Sequence, residues 1–307
     1  MARRLSFTEF REALEQRLLP PEILGDYVEF DSDSPILRLI FRSDALLDNP
    51  PEDYDVDSAI YQFLQQLEIE ETLQLEKLTF VAQKSVVADG DSWFNLPVFL
   101  RRVAIANWIS LNRRFQMRNV ARWGYTLKQI LEEKRYITEI RDRRPDYFML
   151  SGGGNDLQQG LANGAYIHQY DPNRPVDQYL TVDGEAALIE IGNNYRKLLN
   201  EVVSEFPSLK ILTHGYDYPR PLVGGGKFIG KYLRQLGIPD NLMTPIMNDV
   251  LDKLNKIIKD VSDQYSTVHF LDCLNFTQRY TWFDDMHPSN DGFRALANKF
   301  EAEMNRI

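Results

Sequence analysis

Three short polar clusters in this sequence contain the residue types that nucleophilic catalysis uses. They are DGDSW at residues 89–93, SGGGND at residues 151–156 and DDMHP at residues 284–288. A serine hydroxyl becomes a nucleophile when a histidine accepts its proton and an acid orients that histidine. Asparagine amides and the backbone N–H groups beside glycines can hold an oxyanion. Together the clusters predict nucleophilic catalysis by a serine, with Ser92, Asn155 and His287 as the candidate reactive residues.

The acid that orients His287 is expected to be Asp284. It stands three residues ahead of His287, so its carboxylate can bond Nδ1–H and leave Nε2 to accept the serine proton. Asp285 could take this role in principle, but two residues ahead of the histidine it is less well placed. We therefore expect Asp285→Ala to reduce activity less than Asp284→Ala.

The elements that must position these clusters alternate between strands and helices from about residue 80. Predicted strands are residues 85–88, 119–122, 147–151, 209–213 and 268–271, and predicted helices are 96–115, 127–141, 186–206, 242–265 and a last one through Phe293 and Phe300. Short apolar strands separated by amphipathic helices indicate a parallel sheet covered on both faces. We predict a three-layer α/β/α, flavodoxin-like fold with about five strands, and ligands at the carboxyl ends of those strands.

Residues 1–79 differ from the remainder and are predicted to form an acidic, mostly helical N-terminal extension. Ser6 and Glu9 form a capping box for a helix that Pro20 stops, and a second helix spans residues 58–74. The polar, proline-containing residues 48–55 are expected to be an exposed linker. The domain that carries the three polar clusters is then residues 80–307.

Charge and composition limit the classes of partner. The net charge of −10 argues against nonspecific binding of nucleic acid. No stretch approaches the roughly 20 apolar residues of a membrane span, and no apolar segment typical of a signal peptide follows Arg3 and Arg4. The single cysteine, Cys273, suits a reducing compartment without disulfides. We therefore expect a cytoplasmic protein.

The charge is unevenly distributed along the chain. Residues 1–79 hold 7 Lys/Arg against 18 Asp/Glu, whereas residues 101–144 hold 12 against 4. Solvated helix faces explain this most simply. Two other interpretations are that the acidic segment binds the basic one, or that the basic face meets an anionic substrate such as a phospholipid or an acidic glycan.

The clusters and their order resemble those of the SGNH (GDSL) hydrolases. Gly90-Asp91-Ser92 resembles the first block of that family, Gly153-Gly154-Asn155-Asp156 its Gly-x-Asn-Asp block, and residues 284–288 its Asp-x-x-His block. Gly124 is the best match to the glycine of the second block. The resemblance covers residues 80–305, and Trp93 departs from it, because the family more often has Leu or Ile there.

The resemblance implies an ester hydrolase without metal or cofactor. Ser92 would be the nucleophile, His287 the base and Asp284 its partner, with the oxyanion held by the N–H groups of Ser92 and Gly124 and by the Asn155 amide. The substrate would be a small-molecule, lipid or glycan ester.

Further residues beside the clusters are possible substrate contacts. They are Asp91, Trp93, Gly153, His214 and Tyr216. The Trp93 ring could narrow the acyl pocket. His214 either pairs with Asp217 in a turn or contacts the substrate. Tyr166, Tyr170 and Tyr179, in an insertion after Asn155, either stack on a sugar or cover the insertion's own small core.

The run Gly224-Gly225-Gly226-Lys227 invites interpretation as a phosphate-binding loop. The motif's first glycine is absent, however, and Phe228 occupies the position that needs Ser or Thr. We expect a mobile loop over the active site instead.

Two other functions remain open at this point. Asp89, Asp91, Asn155, Asp156, His214 and His287 could form the oxygen and nitrogen ligand set of a metal-dependent phosphoesterase. Only four histidines in the chain make this set sparse. The alternative outside catalysis is a binding or scaffold protein on the same fold.

Overall fold

The computed structural model describes residues 4–78, 84–111 and 114–307. The chain divides into two compact units. One contains residues 1–83 and 97–102, and the other residues 84–96 and 103–307. Residues 97–102 thus belong to the first unit, although the boundary predicted at residue 79 assigns them to the second.

The first unit combines two helices with a small sheet. Its elements are α1 (Phe7–Glu15), a 3₁₀ helix (Pro21–Asp26), β1 (Val28–Phe30), β2 (Leu39–Phe41), α2 (Val56–Leu78) and a second 3₁₀ helix (Val98–Leu100). The capping box of Ser6 and Glu9 is present at the start of α1. The antiparallel pair β1–β2 was not predicted. It is short, and its residues give no alternation long enough to identify a strand.

The predicted linker at residues 48–55 is exposed along most of its length but is not free. The Asp48 carboxylate accepts the Phe7 N–H, and the Tyr54 ring lies edge-on to the Phe7 ring, 4.8 Å between centroids. The segment therefore belongs to the small aromatic core of this unit.

The second unit is built on a five-stranded parallel sheet. Its strands are β3 (Lys84–Asp89), β4 (Phe115–Asn119), β5 (Tyr147–Leu150), β6 (Lys210–His214) and β7 (Val268–Leu271), and its helices are α3 (Ile105–Leu111), α4 (Leu127–Glu133), α5 (Arg135–Arg143), α6 (Gly154–Ala162), α7 (Val182–Glu205), α8 (Gly230–Gln235), α9 (Asp240–Ser262) and α10 (Asn290–Arg306), with 3₁₀ helices at Val176–Gln178 and Val223–Gly225. The strand order β4-β3-β5-β6-β7 is the flavodoxin-like order. The predicted fold class is confirmed.

Helices pack in two groups, α3 with α10 and α7 with α4 and α9. All four residues of β5 are buried, as is expected for a central strand covered on both faces. The strands are paired so that Asp89 stands opposite Leu150, and His214 opposite Leu271. The segments that carry the polar clusters therefore leave the sheet at one edge.

Several element boundaries differ from the sequence predictions. β4 ends where the predicted strand begins, because its polar residues conceal its burial: Arg118 is buried and its guanidinium pairs with Glu139 at 2.9 Å. The predicted helix 96–115 is reduced to α3, since Arg101 adopts a left-handed conformation (φ 60°). Lys134 does the same and divides one predicted helix into α4 and α5.

No helix within the described residues is long and apolar enough to cross a membrane. Cys273 is buried with a free thiol, and burial raises the pKa of that thiol to about 12.

Asp89 connects the end of β3 to α5 from a fully buried position. Its carboxylate accepts the N–H groups of Gly90 (2.8 Å) and Tyr136 (3.2 Å), and the Arg135 guanidinium lies 3.8 Å away. Burial raises the pKa of Asp89 to about 7, and the effects of Arg135 and the two N–H groups, which lower it, are smaller.

Asp89→Asn should therefore change how stability depends on pH. In the folded protein the carboxyl group stays protonated to about pH 7, whereas in the unfolded chain it ionises near pH 4. Its contribution to stability is lost as the pH rises through this window. The free energy of unfolding of Asp89→Asn, relative to wild type, should rise by about 3 kcal/mol between pH 4 and pH 8. Urea titrations at several pH values measure this, with the exposed Asp260→Asn as control. Parallel pH curves for wild type and Asp89→Asn would contradict it.

Candidate active site

Ser92, His287 and Asp284 form one hydrogen-bonded chain. Ser92 Oγ lies 2.8 Å from His287 Nε2, and His287 Nδ1 lies 2.7 Å from Asp284 Oδ1. All three side chains are buried. The carboxylate only accepts, so Nδ1 carries the ring hydrogen and Nε2 presents a lone pair to the serine. Residues separated by up to 195 positions are thus brought into the arrangement that the sequence motifs predict.

Local backbone geometry holds each member of this chain. Ser92 lies in a tight turn after β3, in which the Asp91 carbonyl accepts the N–H groups of Phe94 and Asn95. Asp284 Oδ1 also accepts the N–H groups of Met286 and His287, at 3.0 and 2.9 Å. The same carboxylate oxygen therefore fixes the loop and the imidazole ring that the loop carries.

Asp285 has a different role from that of its neighbour. Its buried carboxylate accepts the N–H groups of Phe228 (3.0 Å), Ile229 (2.5 Å) and Gly230 (3.1 Å) at the start of α8. Burial raises the pKa of Asp285, against the lowering effect of these three hydrogen bonds. With its oxygens occupied in this way, Asp285 anchors the segment before α8 and does not contact His287.

The glycine-rich run at residues 224–227 packs against the histidine loop. A Cβ atom on Gly224, whose φ is +60°, would lie 3.2 Å from Asp284 Cα. The Phe228 ring stands edge-on to the His287 ring, and the Gln158 amide donates to the Phe228 carbonyl. The segment that we expected to be a mobile loop is therefore held by several contacts beside His287.

Asn155 and Gly124 are linked through one hydrogen bond. Asn155 lies in the first turn of α6, and its Nδ2 donates to the Tyr125 carbonyl at 2.8 Å. A carboxamide has two N–H donors, so one remains for another acceptor. Gly124 adopts a positive φ of 76° in the turn that precedes Tyr125. Asn155 lines the same cavity as Ser92, and Gly124 is not among the residues that line it.

Asp91 uses its carboxylate within the protein. Oδ1 accepts the Trp93 N–H (2.9 Å) and the Ser151 hydroxyl (2.8 Å), while Oδ2 accepts the Tyr216 hydroxyl (2.5 Å). Asp91 and Tyr216 both line the cavity. The Asp91 carboxylate and the Tyr216 hydroxyl are hydrogen-bonded to each other. The contact with substrate that we predicted for these two residues is therefore limited to van der Waals contact.

His214 is fully buried at the end of β6, which corrects both sequence interpretations. Its Nε2 lies 2.9 Å from Ser151 Oγ, its Nδ1 lies 2.9 Å from the Gly215 carbonyl, and burial lowers its pKa. The Trp93 ring stacks on it, 5.6 Å between centroids. Neither ring nitrogen is available to a substrate, and neither bonds Asp217.

Of the two predicted substrate contacts Trp93 and Gly153, only Trp93 lines the cavity beside Ser92. Gly153 precedes α6 with φ +102°, a conformation that L-residues with side chains rarely adopt, and does not line the cavity. Gly153 therefore sets the entry to the helix that carries Asn155.

The three tyrosines of the insertion after Asn155 lie in different environments. Tyr179 is fully buried, and its hydroxyl donates to the Asp171 carbonyl, as expected for a residue that covers the insertion's own core. Tyr166 lines the cavity, whereas Tyr170 is exposed.

Two basic residues of the stretch 101–144 pair with acidic residues of the second unit. Lys134 pairs with Glu201 and Arg141 with Glu205, so α4 and α5 are connected to α7. Such exposed ion pairs contribute about 0–1 kcal/mol each. The positive charge of this stretch is therefore partly compensated where it stands.

The residues of the hypothetical metal site form hydrogen bonds with other groups of the protein. Asp156 accepts the Leu127 N–H at 2.8 Å, and Asp89, Asp91 and His214 bond protein groups as described above. Within the part of the chain that the structure describes, no group of three or more His, Cys, Asp or Glu side chains could hold a metal ion.

Known proteins resemble the second unit. The model of the GDSL-like lipase/acylhydrolase family matches residues 89–295, so the chain belongs to this family. The predicted resemblance to SGNH hydrolases is thereby confirmed, and with it the class of ester hydrolase. Among curated proteins, none matches at a significant level.

The solved structures that this chain matches are distant in sequence. A putative GDSL-like lipase from Parabacteroides merdae is 17% identical, with 74% of this chain and 99% of that chain covered and a TM-score of 0.47. A putative platelet activating factor protein from Streptococcus pneumonia is 15% identical, with 80% and 99% covered and a TM-score of 0.46. For an acetylxylan esterase from Geobacillus stearothermophilus the values are 14%, 74%, 96% and 0.42.

Asp285→Ala should destabilise the protein because three buried N–H groups would lose their acceptor. Each unsatisfied group costs about 1–3 kcal/mol, so the free energy of unfolding should fall by about 3 kcal/mol or more. Urea denaturation measures this. The control is Asp260→Ala, which removes an exposed partner of Lys256 and should cost less than about 0.5 kcal/mol. Equal stability of Asp285→Ala and wild type would show that this carboxylate does not hold the segment before α8.

Proposed function

We propose that this protein hydrolyses a carboxylic ester through an acyl-enzyme on Ser92. The observation that carries the proposal is the chain from Ser92 Oγ through His287 to Asp284, with contacts of 2.8 and 2.7 Å, beside a cavity that Ser92 itself lines. Nucleophile, base and orienting acid at hydrogen-bond distances are what nucleophilic catalysis by a serine requires.

In the first half of the reaction Ser92 Oγ attacks the ester carbonyl carbon. His287 Nε2 accepts the hydroxyl proton, and Asp284 stabilises the resulting imidazolium through the bond at Nδ1. When the tetrahedral intermediate collapses, the bond to the alcohol oxygen breaks, and His287 returns the proton to this leaving group. The products are the free alcohol and an ester between the acyl group and Ser92.

In the second half water replaces the alcohol. His287 accepts a proton from water as the hydroxide attacks the acyl-enzyme, and the proton then passes to Ser92 Oγ as the acid departs. Each residue thus returns to its initial protonation state. The burial of the three side chains strengthens these contacts, because few water molecules compete for them.

The negative charge on the carbonyl oxygen needs donors during both halves. We assign this role to the N–H groups of Ser92 and Gly124 and to the Asn155 side chain. Asn155 lines the cavity with Ser92, and the Tyr125 carbonyl orients its amide. Donors that are fixed before the reaction stabilise the oxyanion without further reorganisation.

Ser92→Ala should abolish ester hydrolysis and covalent labelling by a fluorophosphonate. Without the nucleophile, kcat for p-nitrophenyl butyrate should fall by about 10⁶-fold, to background. The exposed Ser208→Ala serves as matched control and should label and turn over as wild type does. A folded wild type that neither labels nor hydrolyses any ester would overturn the proposed function.

Asn155→Ala should lower kcat by about 10²–10³-fold with little change in KM, because the amide acts on the oxyanion and not on the ground-state ester. Steady-state kinetics with the same ester measure both constants. Thermal unfolding of the variant must accompany them, since the lost bond to Tyr125 also affects the fold. A rise in KM at constant kcat would assign Asn155 to substrate binding instead.

A further inference from the structure

The cavity beside Ser92 is walled mainly by aliphatic side chains. They come from three parts of the second unit: Leu157 and Leu161 from α6, Ile229 from the segment before α8, and Met247, Val250 and Leu254 from α9. Five of these six residues lie within helices, Ile229 lies directly before α8, and all six are buried. The cavity that Ser92 lines therefore has a mainly apolar wall.

Four polar side chains of the wall, those of Asp91, Tyr216, Gln158 and Asp217, already have partners in the protein. Asp91 and Tyr216 bond each other, and the Gln158 amide bonds the Phe228 carbonyl. Asp217 accepts the Thr277 N–H and hydroxyl. Among the described residues that line the cavity, none is Lys, Arg or His. A hydroxyl or an anionic group placed there would lose its water without gaining a partner.

We propose that this cavity binds the aliphatic acyl chain of the substrate, so that the enzyme acts on esters of unbranched medium-chain acids in preference to acetyl esters. This rests on the proposed function, because the cavity becomes an acyl site only if Ser92 attacks the ester. Acetylated sugars and esters of anionic acids are the substrates that such a wall disfavours.

The acyl side of the ester fits this cavity better than the alcohol side. An aliphatic acyl chain beyond the carbonyl has no polar atoms, whereas the alcohols of polyol and sugar esters keep hydroxyl groups that need partners. Met247 and Met286 line the cavity and adapt to chains of different length, because the methionine side chain is unbranched and flexible.

The experiment compares p-nitrophenyl esters of acetate, butyrate, hexanoate and octanoate on the full-length wild type. The leaving group is constant, so kcat/KM should rise from acetate to hexanoate by up to about fourfold for each methylene that leaves water. A second series of acetate esters, from ethyl to hexyl, lengthens the alcohol alone and should show a smaller dependence. Fluorophosphonate labelling of Ser92 is measured in parallel.

Val250→Phe tests whether this cavity is responsible. The phenylalanine ring is larger than the valine side chain and fills part of the cavity beside α9. The ratio of kcat/KM for octanoate to kcat/KM for acetate should therefore fall by about tenfold or more. Ile258→Phe is the matched control, because Ile258 is equally buried on α9 but does not line the cavity, and its ratio should equal that of wild type. If the octanoate-to-acetate ratio of Val250→Phe equalled that of Ile258→Phe and of wild type, this cavity would not be the site of the acyl chain.

The outcomes separate the two proposals. A rise with acyl length, together with labelling of Ser92, supports both. Labelling with acetate as the best substrate, a flat series, or a stronger dependence on the alcohol overturns the acyl site and leaves the proposed function standing. Neither labelling nor hydrolysis overturns both.

Discussion

The arrangement of the site depends on one buried carboxylate. Asp91 accepts hydrogen bonds from Trp93 after β3, Ser151 after β5 and Tyr216 after β6. These three strands are neighbours in the sheet, so a single side chain joins the loops that leave them. A buried charge is tolerated only with such a complement of donors. The Asp91 carboxylate therefore fixes the turn that carries Ser92 and also joins that turn to the loops that follow β5 and β6.

Other buried aspartates repeat this principle around the site. Asp89 holds the start of α5, Asp156 the start of α4, Asp217 the loop near Thr277, and Asp285 the start of α8, in each case through backbone N–H groups. Loops cannot satisfy their backbone through regular secondary structure when they are buried. Acidic side chains supply the missing acceptors, and at these positions the acidity of the chain serves its architecture.

The sequence predicts the fold class and the pairing of His287 with Asp284 because both depend on local pattern: apolar strands of similar length, and an acid three residues ahead of a histidine. The contact between Ser92 and His287 spans 195 positions and is predicted only because both motifs resemble those of a known family. It does not predict the environment of His214, whose partner Ser151 lies 63 residues away and leaves no trace in neighbouring residues. β4 was misplaced for the related reason that a buried ion pair hides Arg118 among polar letters. Only the tertiary structure distinguishes a polar residue that faces a ligand from one that bonds the backbone.

Asp285 holds the segment before α8 through backbone N–H groups alone, so the side chains of that segment are free to change. Every amino acid except proline offers the same N–H group, so the position of the segment before α8 does not depend on which side chains it carries. Ile229 belongs to this segment and lines the cavity. Residue 229 can therefore be exchanged to reshape the cavity while its backbone stays in register, which makes this short stretch a natural starting point for directed evolution of selectivity.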